Sequence, residues 1–223
     1  VMALGAAQIG EQKRYGTWPK NQMDTSPKMK DVPVGLPHIG FLAAVSKISR
    51  EKSEPLLREN KAHLAVFGTA MAGLYLSATC HRGCRGGDHI VEALGARIYN
   101  LACGANALTS IGLYDEAQSL IRSIGEIGNL LSLSMFQPAK FSEWARSSKP
   151  DRIKKFGPAK VRSLLENNGI TLMGSEWYSE LCESYTHVTP QTAPNKYDLG
   201  KNVCGGIVQK AGLQKVIEQL TQI

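Results

Sequence analysis

An all-α fold, an antiparallel helical bundle led in by a basic and largely irregular N-terminal arm, is what this amino-acid sequence predicts. Three observations point there. Apolar residues in two long neighbouring segments recur every three or four positions, the period of a helix. No segment alternates convincingly with period two, so strands are not expected. Helix start and stop residues bracket the segments that follow. With 223 residues the chain can bury one substantial core, whereas two domains would each be small. The expected division is an arm over 1–40 and a bundle domain over 41–223.

Taking the elements in order, the arm holds Pro19, Pro27, Pro33 and Pro37 among Gly, Lys and short polar residues, with no lasting period. A short helix is expected from Phe41 to about Arg50. A second begins at Pro55, since proline is tolerated in a first turn. Ala62 to Cys80 carries no formal charge and has about the length of a membrane span. His63, Thr69, Ser77 and Thr79 interrupt it, and its many Ala and Gly residues keep its hydropathy modest. The expectation is a closely packed central helix and no membrane partner. Cys80 to Gly87, with three glycines, reads as a loop.

The strongest seam follows. Asp88 can cap a helix whose Val91, Leu94, Ile98, Leu101, Ala105 and Leu108 are spaced three, four, three, four and three. Gly112 ends it in the left-handed conformation, and Asp115 caps the next helix, with Leu120, Ile124, Ile127 and Leu131 on its apolar face before Pro138. So short a connection makes the two helices antiparallel neighbours. A further helix starts at Pro158 after Gly157, with Phe156 stapled onto Val161 and Gly169 just past its end. Another starts near Ser175 and presents Trp177, Tyr178, Leu181, Cys182, Tyr185 and Val188 on one face before Pro190. The last is expected over Val203 to Leu220, weakened by Gly205, Gly206 and Gly212.

Charge and cysteine usage bear on partners. Lys plus Arg number 26 against 19 Asp plus Glu, a formal net charge of +7, which suits an anionic partner. Five cysteines, an odd number, lie mostly in apolar-periodic segments, and no secretory leader opens the sequence, so a reducing, cytoplasmic setting is expected. Phosphate-loop, dinucleotide, nucleophile-elbow and zinc-protease motifs are absent. Cys80, His81, Cys84 and His89 are soft metal ligands within ten residues. Their spacing matches no standard finger, two of them are adjacent, and Arg82 and Arg85 oppose a cation, so neither a metal nor another cofactor is expected.

Three groups of residues are candidates for chemistry. Arg122 and Glu126, four apart, fall opposite the apolar face of their helix and form either a surface ion pair or part of a site. His187 falls at the end of the Trp177 helix, in line with Glu180 and Glu183 and off the face of Leu181 and Tyr185. It either helps end that helix or acts as an acid or base. Were the polar faces of these two helices to meet, Arg122, Glu126 and His187 would share one cleft. Between Arg146 and Arg162, seven cations (Arg146, Lys149, Arg152, Lys154, Lys155, Lys160 and Arg162) stand against Asp151 alone. Flanked by Trp144 and Phe156, they form either a phosphate-binding surface with stacking rings or a solvated loop.

The segments Ala93 to Ser134 and Glu176 to Pro190, with Arg122-Ser-Ile-Gly-Glu126 and Tyr178-Ser-Glu-Leu-Cys-Glu-Ser-Tyr-Thr-His187-Val-Thr-Pro190, resemble an uncharacterised prokaryotic helical family. That family is related to the HEPN superfamily, the higher eukaryote and prokaryote nucleotide-binding domains. The resemblance implies a helical bundle, often dimeric, in a superfamily that includes ribonucleases of toxin and antiphage systems beside members without catalysis. Catalytic relatives carry an arginine followed a few residues later by a histidine on one helix. Arg122 has no histidine at such a distance, a departure that counts against nuclease activity; if catalysis survives it, the expected carriers are Arg122 for phosphate charge and His187 as acid or base, with Glu126 orienting one of them. The expected activity is that of an RNA-associated protein and metal-independent endoribonuclease. The alternative is a non-catalytic helical protein that forms a homodimer or docks a protein partner.

Overall fold

In the computed structural model, which describes residues 38–80, 83–84, 86, 89–170, 172–190 and 192–223, every regular element among the described residues is helical. All but the last three residues of the expected arm, and the Asp88 cap, lie outside them.

Helix α1 (His38–Glu59) is one element where the sequence suggests two, with Pro55 inside it. Pro55 is exposed, so the carbonyl it leaves unpaired one turn earlier faces the solvent side. On the opposite side tertiary bonds hold the helix. Buried Ser49 donates to the Gly206 carbonyl, and buried Ser53 donates to the Ser110 carbonyl at 2.6 Å.

Helix α2 (Lys61–Ala78) overturns the expectation of a buried central helix, for none of its residues is buried. Leu64, Phe67, Met71 and Leu74 form a narrow seam against the core, while Val66, Tyr75 and Leu76 stay exposed. The cause is its place at the edge of the bundle, where an apolar helix has only one neighbouring layer to bury against. No described helix is long and apolar enough to cross a membrane.

Helices α3 (Ile90–Ser110) and α4 (Tyr114–Phe136) form the expected antiparallel pair. Ile98, Leu101 and Ala105 of the predicted α3 seam are buried, and Val91 at its exposed end is not. Gly112 ends α3 at φ +78°, with the Ile207 backbone so near that a Cβ would lie 2.8 Å from it. The cap of α4 differs from expectation. Asp115 sits inside the first turn, and Asn195, some eighty residues on, presents its Oδ1 to the Tyr114 and Asp115 amides at 3.0 and 3.3 Å. Asp115 repays the contact by accepting from the Asn195 amide and the Tyr197 hydroxyl.

Helix α4 is central. Of the seam predicted on it only Ile124 is buried. Tyr114, Ala117, Ile121 and Leu133 are buried too, because α3 covers one side and later elements cover the rest. One cluster joins α3, α4 and the C-terminal α9 (Lys210–Gln222) through Ile98, Ile121, Leu213, Val216 and Ile217. Each such fully buried aliphatic contributes on the order of 2 kcal/mol. A second cluster, at the far end of α4, gathers Leu133, Phe156, Val161 and Leu165.

The basic stretch expected to be a loop or a surface contains a short helix, α6 (Lys149–Phe156), and begins at the last residue of another, α5 (Pro138–Arg146). Pro138 opens α5, and Ser148 caps α6 by accepting from the Asp151 amide. The predicted Phe156 and Val161 pair is buried at the start of α7 (Pro158–Glu166). Helix α8 (Ser175–Leu181) then widens into a π turn over Cys182–Thr186. The expected last helix loses its first turns, starting only at Lys210. Gly205 adopts φ +84°, and Gly206 packs so tightly on the Ile111 carbonyl that a Cβ there would overlap it. Val203 is buried all the same.

Candidate functional site

The site begins with α4. Arg122 and Glu126 lie one turn apart, their Nη1 and Oε1 2.7 Å from each other. They do not face open water as the helical wheel suggests. Helix α8 lies over them, leaving the two side chains 20% and 28% exposed. What places α8 there is the connection before it. Asn129 donates to the Met173 carbonyl at 3.3 Å, and Gly125 and Gly128 leave room for Met173 and Leu172, which a Cβ at either position would overlap.

From α8, Tyr178 completes the pair into a triangle. Its hydroxyl donates to Glu126 Oε1 at 2.7 Å and accepts from Arg122 Nη1 at 3.0 Å. Burial, reinforced by the bond given to Glu126, pushes the phenol up to about 12. Burial alone would lower the Arg122 guanidinium, but the Glu126 carboxylate beside it holds it above its usual value. The sequence reading assigned Tyr178 to an apolar face. The only signal that could have found it is its hydroxyl, since a part-buried tyrosine needs a polar partner that phenylalanine does not.

A second arginine reaches the same ring from α7. The guanidinium carbon of Arg162 lies 3.8 Å from the Tyr178 ring centroid, with Arg122 at 5.6 Å. Arg162 is 8% exposed, and its Nε and Nη1 are buried without a hydrogen-bond partner. A buried, under-satisfied guanidinium is costly to hold, and here it sets a positive charge against the Tyr178 ring. Arg162 therefore leaves the basic surface where its sequence neighbours stand and becomes the charged floor of a cleft.

That cleft, about 630 Å³ in volume, is lined by Arg162, Tyr178, Cys182 and His187, with Ser175, Ser179 and Glu176 at its exposed rim. Of the three residues expected to share a site, only His187 lines it. Arg122 and Glu126 stand behind Tyr178, and His187 makes no hydrogen bond or ion pair with either. The π turn explains its position. The His187 amide bonds to the Cys182 carbonyl five residues back, at 2.8 Å, and His187 itself is extended. Beyond that turn the α-helical register that aligned His187 with Glu180 and Glu183 no longer applies. Glu180 pairs instead with Lys215 at 2.8 Å, and Val188 is 94% exposed.

The remaining cations divide. Lys154, Lys155 and Lys160 line a groove of about 580 Å³ with Lys140 and Glu143. Hydrogen bonds from Lys140 and Lys155 hold the Glu143 carboxyl below its ordinary range. Arg152 is tied to the Ser147 carbonyl at 2.6 Å, while Arg146 and Lys149 are exposed. Neither flanking ring is free to stack. Phe156 is buried, and Trp144 packs on Phe141 with centroids 5.2 Å apart.

No protein-family model matches the chain, and neither a curated protein nor a solved structure is significantly similar to it. The chemistry of the site accordingly rests on its own geometry.

Proposed function

We propose that the chain is an RNA-associated, HEPN-like helical protein whose Arg162–Tyr178–His187 cleft holds a phosphodiester and cleaves it without a metal. The observation that carries this reading is Arg162, a guanidinium buried on the Tyr178 ring with two unpartnered nitrogens, in a cleft that His187 also lines. Arg162 supplies charge to the phosphate as negative charge builds on it. His187 takes the proton from an attacking hydroxyl or returns one to the leaving oxygen. Arg122 and Glu126 act through Tyr178, fixing its ring beneath the ligand. The groove of Lys154, Lys155 and Lys160 shares α7 with Arg162 and guides the strand by phosphate neutralisation.

Incubation of total RNA with wild-type, His187→Ala and Arg162→Met proteins at low salt tests the reading. Binding that weakens steeply with salt and cleavage about 10²- to 10⁴-fold slower in His187→Ala support it. Equal cleavage by wild type and His187→Ala removes this histidine from the mechanism. Absence of both binding and cleavage favours a non-catalytic interaction protein. That second reading has its own support in α2, which leaves Val66 and Leu76 exposed away from its core seam, apolar side chains of the kind that homodimers or protein partners cover. It calls for an oligomer insensitive to salt, measured by light scattering.

A further inference from the structure

The connection between α2 and α3 brings together soft ligands that stand apart in sequence. Cys80 follows the last turn of α2, His89 precedes the first turn of α3, and Cys84 lies midway between them. Their ligand atoms all fall within 4.8 Å of one another. Cys84 Sγ lies 3.2 Å from His89 Nε2, and Cys80 Sγ lies 3.6 Å from Nδ1 of the same ring. Two ligands at about 2.3 Å and 2.0 Å from a tetrahedral zinc would stand roughly 3.5 Å apart, close to the separation of Cys84 Sγ and His89 Nε2. The geometry also answers two of the objections raised by the sequence, since the three converging residues are not adjacent and need no finger spacing. Cys80 and His89 both adopt positive φ, near +50°, a conformation that costs L residues energy.

We infer that Cys80, Cys84 and His89 form a binding site for a single borderline-soft divalent cation, zinc, with water as the fourth ligand. Two thiolates and one neutral imidazole are the donors such an ion prefers, and binding releases the two thiol protons to solvent, so that the charges of ion and ligands cancel. The Gly86 amide, 3.4 Å from Cys84 Sγ, supports its thiolate. Glu92 Oε1 lies 3.7 Å from His89 Nδ1, a carboxylate near enough to add negative charge beside the site. The ion clamps the C-terminal end of α2 to the N-terminal end of α3. That is a structural role suited to a helix that buries none of its own residues, and it is independent of the phosphodiester cleft, which neither helix lines.

The test is titration of the reduced, chelator-treated full chain with Co²⁺, followed by Zn²⁺. Expected are one equivalent bound, a thiolate-to-cobalt charge-transfer band with tetrahedral ligand-field bands, and loss of both when zinc displaces the cobalt. Cys80→Ser, Cys84→Ser and His89→Ala should each weaken binding at least about 100-fold, and Glu92→Gln about 10-fold. The Cys103→Ser, Cys204→Ser double variant, which alters two exposed cysteines elsewhere, should bind as wild type. Should a ligand variant misfold, alkylation of the wild type still decides the matter, because zinc should protect two thiols and leave Cys103 and Cys204 reactive. A wild-type protein that gives no thiolate band, or in which zinc protects no cysteine, overturns the inference. So does loss of binding in the Cys103, Cys204 variant.

Discussion

Helices α2 and α4 are both long and both rich in apolar residues, yet the bundle treats them in opposite ways. Helix α4 is enclosed by α3, α7, α8 and α9, and even its glycines are contact points. Helix α2 touches the core along Leu64, Phe67, Met71 and Leu74 and leaves the rest of its surface to solvent, with nothing within 4 Å of where a Cβ would stand at Gly68 or Gly73. Composition ranks α2 as the more apolar helix, and topology makes it the more exposed one. Burial is a property of the neighbours a segment acquires, and α2, at the edge, acquires too few.

Glycine substitutions give the sharpest way to break that contrast. Gly212 of α9 meets the Tyr114 ring of α4 so closely that a Cβ would overlap three ring atoms. Gly212→Ala should therefore cost about 2–3 kcal/mol in chemical denaturation. Gly73→Ala on α2 should be neutral or gain up to about 1 kcal/mol, since a helix-interior glycine with open space profits from a methyl group. Equal destabilisation by both would mean that α2 is as tightly enclosed as α4.

Capping gives the next largest difference. Asn195→Ala should cost about 1–2 kcal/mol by stripping the α4 amides of their acceptor. Asn60→Ala, just before α2, should cost much less, because its side chain donates to Leu56 and caps nothing. Polarity should then invert the usual expectation. Gln118 of α4 is fully buried with both side-chain polar atoms unpartnered, so Gln118→Met should stabilise by about 1 kcal/mol. Leu76→Gln on α2 should stay within about 0.5 kcal/mol of wild type.

A further contrast lies in alkaline titration. Burial pushes the Tyr114 phenol of α4 up to about 12, and burial with the bond to Glu126 does the same for Tyr178. A folded-state value raised above the usual tyrosine value near 10 means that the stabilisation is fully present below pH ~10 and is lost as pH climbs through about 12. Thermal melts between these limits should show a falling midpoint, and Tyr178→Phe should flatten that fall. An unchanged slope would mean that the Tyr178 phenol is not held up by its burial and its bond to Glu126.

Much of this was legible along the chain. The α3 seam, the Gly112 turn, the antiparallel pairing and the Phe156–Val161 staple follow from local period and turn chemistry, which act over a few residues. Arg122 and Glu126 could be paired for the same reason. Arg162 was one of seven candidate cations, but its meeting with Tyr178 could not be read, because a ring and a guanidinium from α8 and α7 meet only after the chain has folded back on α4. The His187 register failed at the π turn, where one added residue per turn rotates everything that follows.

The order of local interactions thus set the α3–α4 pair, the starts of α7 and α8 and, among the described residues, the absence of strands. Only tertiary structure decided that an apolar helix lies at the edge, that Asn195 caps a helix some eighty residues earlier, and that an arginine leaves a basic run to sit beneath a tyrosine. The physical reason is that hydrogen bonds within a helix are satisfied by neighbours in sequence. Burial and charge compensation depend on distances that no short stretch of chain specifies.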